Sequence, residues 1–116
     1  MITHWQQEPP EVPFYAVIFI SQKSEDLEAY AETDDLMMKM ASEREGFLGY
    51  SSMGDGKKGI FISYWRDEAA IDAWRNNQEH RKAKTAGAKQ WYRYYHSMIC
   101  KVESSRIHGE WLAGFS

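Results

Sequence analysis

A chain of 116 residues with a single cysteine has room for one cored domain and excludes any intrachain disulfide or cysteine-based metal framework. Fourteen basic against seventeen acidic residues, a net charge of −3, give no electrostatic case for nucleic acid as a partner. Aromatic residues make up 15% of the chain, a share that suits ring-rich packing or an apolar slot for a planar ligand.

Residues 1–13 read as an N-terminal arm, because Pro9, Pro10 and Pro13 oppose both helix and central strand. Phe14 to Ser21 is continuously apolar, as expected of a strand buried on both faces. Ser24 followed by Glu25 and Asp26 predicts a helix N-terminus capped by Ser24. Leu27, Tyr30, Ala31, Met37, Met38 and Ala41 then keep a helical period to about Glu43, with a lapse at Asp34 and Asp35. Gly46 stops that helix, and Phe47 to Met53 reads as a second strand. Gly54-Asp55-Gly56-Lys57-Lys58-Gly59 is a hairpin turn into a third strand, Ile60 to Trp65. Arg66-Asp67-Glu68 opens a second helix carrying Ala70, Ile71, Ala73 and Trp74 on one side. It bends near Asn76-Asn77, resumes through His80 and passes Gly87 towards Trp91. Tyr94 to Glu103 is a fourth strand, and residues 104–116 form a tail with Ile107, Trp111, Leu112 and Phe115.

The order β-α-β-β-α-β predicts an α+β, ferredoxin-like domain over residues 14–103, with an antiparallel four-stranded sheet and helices on one face. The doubly apolar first strand then needs a cover for the other face, and sheet-to-sheet homodimerisation supplies one. No stretch is apolar enough for a leader or a membrane span, so a cytoplasmic protein without membrane partners is the expectation.

Several segments carry a family resemblance. They are Glu45-Gly46-Phe47-Leu48-Gly49-Tyr50, Ser63-Tyr64-Trp65-Arg66-Asp67-Glu68-Ala69-Ala70, the span from Ala73-Trp74 through His80, Arg81, Ala83 and Gly87, and then Trp91-Tyr92 and Tyr95. Together they resemble the antibiotic biosynthesis monooxygenases, which form dimeric α+β barrels. The resemblance implies oxygen chemistry on aromatic or polyketide-like compounds without a cofactor, or haem degradation in another branch. In the quinone-forming branch, a tryptophan matching Trp65 binds the aromatic substrate. That branch has an asparagine four residues earlier, where this chain has Phe61. The haem-degrading branch resembles it at Trp74, but Lys84 stands where the axial histidine belongs. The asparagine which that branch carries on strand one has no counterpart between Tyr15 and Ile20.

Oxidation by O2 without metal or flavin needs a slot for the ring, a base for its hydroxyl proton and donors for the resulting anion. Trp65, Trp74, Trp91 and Tyr92 are the expected slot, with Tyr64 as a further substrate-binding group. His80 is the expected base, since imidazole titrates near neutrality, and Arg93 or Tyr64 the anion donor. No spacing of His, Cys, Asp and Glu suggests a metal site, so no cofactor is expected. The other reading is a small-molecule binding or stress-response protein built on the same dimer.

Overall fold

The computed structural model describes residues 2–109. Its elements run β1 (Thr3–Trp5), β2 (Phe14–Lys23), α1 (Tyr30–Ser42), β3 (Phe47–Gly54), β4 (Lys58–Trp65), α2 (Glu68–Arg75), α3 (Gln78–Ala86) and β5 (Tyr92–Val102), with a π-helical turn, Gly87–Trp91, ahead of β5. All strand pairs are antiparallel, in the order β1-β3-β4-β2-β5. The α+β, ferredoxin-like expectation holds, with one strand more than the sequence announced.

That extra strand comes from the expected arm. Thr3, His4 and Trp5 pair with Ser51, Tyr50 and Gly49 along the β3 edge. Gly49 makes this approach possible. At its φ of +155° a side chain is strained, and a methyl would run into the His4 carbonyl oxygen and the Trp5 ring. Gly46, at φ +89°, lets the chain turn into β3 under α2; a methyl there would lie 2.6 Å from the Ala70 Cβ.

The first helix starts later than predicted. Ser24 is no N-cap: its hydroxyl donates to the carbonyls of Asp26 and Gln90. The helix opens at Tyr30 after Ala29, whose φ is +64°, without a side-chain cap. The second helix divides as expected at Asn76-Asn77. The Asp67 carboxylate accepts from the Ala70 N–H at 2.8 Å to start α2, and the side-chain amide oxygen of Asn77 accepts from the His80 N–H at 3.1 Å to start α3.

Alternation along the strands sorts the rings onto two faces. The helix side of the sheet supplies Tyr15, Val17, Phe47 and Trp65, packed against Met37, Met40 and Ala41 of α1 and Ala70, Ile71 and Trp74 of α2. The other side carries Ile18, Ile20, Ile60 and Ile62, in register across β2 and β4. Among the described residues no helix covers it: Met53, Ile60 and Tyr94 are 62%, 47% and 56% exposed there. Among the described residues no helix is long and apolar enough to cross a membrane. Of the tail, Ile107 is exposed, and Trp111, Leu112 and Phe115 lie outside the described residues.

Candidate functional site

Trp65 closes β4 and Trp74 lies on the inward side of α2, and the β4–α2 junction stacks them. Phe47 meets Trp65 edge-on at 5.2 Å, Trp65 stacks with Trp74 at 6.4 Å, and Trp74 stacks with His80 at 4.5 Å and 17°. The Trp65 indole N–H donates to the Ser63 hydroxyl at 2.9 Å, which satisfies its one polar atom. The column runs from the core outwards, with Trp65 1% exposed and half-buried His80 at its outer end.

The start of α3 orients His80. Its Nδ1 lies 3.2 Å from the Trp74 carbonyl oxygen. A carbonyl can only accept, so Nδ1 carries the proton and Nε2 keeps a free lone pair. Burial pushes the His80 pKa down, the Trp74 carbonyl opposes this, and the positive charges of Lys84 and Arg75 lower it further. The imidazole is therefore neutral at pH 7, in the tautomer that a general base requires.

Trp91 and Tyr92 belong to a second ring cluster. Trp91 stacks on Tyr30 at 5.5 Å, and its indole N–H donates to the Glu28 carbonyl at 3.0 Å. Tyr92 meets Phe19 edge-on at 5.1 Å, and its hydroxyl donates to that of Tyr30 at 3.4 Å. Desolvation, then Tyr30, then the charge of Asp34 hold the Tyr92 hydroxyl far above the ordinary phenol range. Tyr92 thus stays protonated and serves as a packing ring with a neutral hydroxyl.

The structure joins Trp65, Trp74 and His80, puts Trp91 and Tyr92 in a neighbouring cluster, and leaves Arg93 exposed at the start of β5. Tyr64 is separated from Trp65 because consecutive strand residues face opposite ways. It packs with Trp5 at 4.7 Å and Phe14 at 6.0 Å on the bare side of the sheet, where its hydroxyl bonds that of Ser51 at 2.7 Å. Phe61, in place of the asparagine of the quinone-forming branch, stacks on Tyr50 at 5.7 Å, and Tyr50 in turn stacks on His4 at 4.8 Å. His4 lies in the proline-bounded arm, and the pairing of β1 brings it beside Tyr50. Its Nδ1 is buried without a hydrogen-bond partner among the described residues.

A haem fits this arrangement poorly. Lys84, at the position of the axial histidine, is exposed on α3. Among the described residues no three His, Cys, Asp or Glu side chains group as metal ligands.

The sequence model of the antibiotic biosynthesis monooxygenases matches residues 13–86, which hold β2 to α3 and therefore the whole ring column. The chain belongs to the antibiotic biosynthesis monooxygenase family. Another similar protein is the uncharacterised YqjZ of Bacillus subtilis (strain 168), 44% identical over 103 residues, which are 87% of this chain and 90% of that protein. Among solved structures, Rv0793 of Mycobacterium tuberculosis has a TM-score of 0.69 at 16% identity, covering 81% of this chain and 98% of its own. A mutant form of SnoaB, a cofactor-independent oxygenase of Streptomyces nogalater, also has a TM-score of 0.69, at 8% identity and covering 81% and 97%. At such low identities these two likenesses establish the shared fold of the family.

Proposed function

We propose that this chain is a cofactor-independent monooxygenase that oxidises a small electron-rich aromatic, phenolic or polyketide-like, with O2, working as a homodimer. Membership of the antibiotic biosynthesis monooxygenases supports the reaction class. The observation that carries the assignment to this site is the neutral His80, stacked on Trp74 with its Nε2 lone pair free.

In this reading the substrate ring lies beside His80, and Nε2 takes the hydroxyl or enol proton. The anion passes one electron to O2, giving a substrate radical and superoxide. These combine into a peroxide at the ring carbon, which loses water to leave a carbonyl. For a ring methylene the balance is CH2 plus O2 giving C=O plus H2O, and the substrate supplies all the electrons. Trp65 and Phe47 behind Trp74 hold the column whose outer end, His80, faces the substrate in this reading.

A second reading, a small-molecule binder without turnover, is favoured by the depth of Trp65, whose 1% exposure commits it to packing. Oxygen uptake separates the two. Wild type incubated with anthrone-type and quinol compounds should consume O2 in step with product, and His80→Gln should lose at least about 100-fold of that rate, the usual share of a general base. Equal uptake by wild type and His80→Gln overturns the role of His80. Ring binding with no enzyme-dependent uptake favours the binder.

A further inference from the structure

The outward sides of α2 and α3 border an open groove of about 460 Å³, lined by Asp72, Arg75, Asn76, Arg81, Lys84 and Thr85. It adjoins the outer end of the ring column, since Lys84 follows His80 by one helical turn on α3. Three cations against one carboxylate leave this lining with an excess of two positive charges, on a chain whose net charge is −3. None of Arg75, Arg81 or Lys84 is in an ion pair among the described residues, whereas Arg66 and Lys82 are. Concentrated, unneutralised charge in a concave site raises the local concentration of anions. A guanidinium fork suits tetrahedral oxyanions and a lysine adds a point charge.

We propose that the groove between α2 and α3 binds a phosphate dianion, free or as the phosphate group of a small organic molecule, through Arg75, Arg81 and Lys84. Two excess positive charges complement a dianion better than a monoanionic carboxylate. Asn76 adds an amide donor, and the Thr85 hydroxyl is already turned to the Arg81 carbonyl at 3.0 Å. The site does not depend on the oxygenase reading, and its test needs no turnover.

The groove also has a built-in reporter. Lys84 and Arg75 are the positive groups that weaken proton binding at His80, so neutralising them with a bound anion must strengthen it. The full chain is titrated at low ionic strength with inorganic phosphate, phenyl phosphate and acetate, following the amides of residues 72–85 and the His80 C2–H by NMR. Phosphate should saturate shifts confined to that span, with half-saturation at or below about 1 mM, and should raise the His80 titration midpoint. Phenyl phosphate binding more tightly than phosphate identifies an organic ligand, and equal binding identifies the free anion. Arg81→Gln and Lys84→Gln, both at exposed positions and checked by circular dichroism, should each weaken binding about tenfold. Shifts that do not saturate, acetate binding as well as phosphate, or an unchanged titration in the Arg81→Gln, Lys84→Gln double variant would overturn the proposal.

Discussion

His80 couples stability to pH through one proton. Its pKa in the folded protein lies below the ordinary imidazole value of 6.5, chiefly because burial disfavours the cation. The unfolded chain therefore binds a proton more readily than the folded one. The stability this group contributes is complete above the unfolded value and declines as the pH falls through the folded one. Urea midpoints should drop between pH 7.5 and pH 5, and His80→Gln should flatten that part of the profile. An identical slope in the variant would assign the decline to other groups. The same residue shows how far a sequence can be read. An imidazole six residues after a helical tryptophan is visible in the string, but its tautomer is not, because the carbonyl that selects it is presented only once Asn76 and Asn77 break the helix.

Among the elements, β1 was the least legible. Three residues between Met1-Ile2 and a proline-rich stretch carry no periodicity, and their strand conformation is imposed by β3. The trace that could have found it is Gly49, a glycine inside an apolar strand, which signals close approach of another backbone. Gly49→Ala should unseat β1 at a loss of about 2 kcal/mol, the range of an overpacked, strained backbone site. Chemical denaturation measures the loss, and faster amide exchange at Thr3 to Trp5 locates it. The longer elements were legible because burial itself writes their pattern: the apolar run of β2, the hairpin glycines and the acidic start of α2 all survive in the structure. The N-terminus of α1 was misread because Ser24 spends its hydroxyl on carbonyls near the π-helical turn, a tertiary contact that local sequence does not encode. Tyr64 and Trp65 belong together in the sequence but not in space, and the two-residue period of the strand they share already contains that outcome.

At the scale of the whole molecule, the helices leave an isoleucine-rich sheet face uncovered, with a shallow depression of about 400 Å³ beside Ile20, Met53, Ile60 and Tyr94. Apolar area of this kind favours association of two copies, in line with the dimer proposed above. Light scattering should give the mass of a dimer. Ile62→Glu, which sets a carboxylate at the centre of that face, should weaken association at least about 30-fold, the effect of losing an interface hot spot. A wild-type monomer at all concentrations would remove the dimer. Finally, the seated N-terminal strand means that the β3 rim is already occupied. Among the described strands β1 and β5 form the two rims, and β1 offers a newcomer only three residues, so runaway lamination of sheet upon sheet finds little to grip on that side unless Thr3 to Trp5 peel away and bare the eight residues of β3.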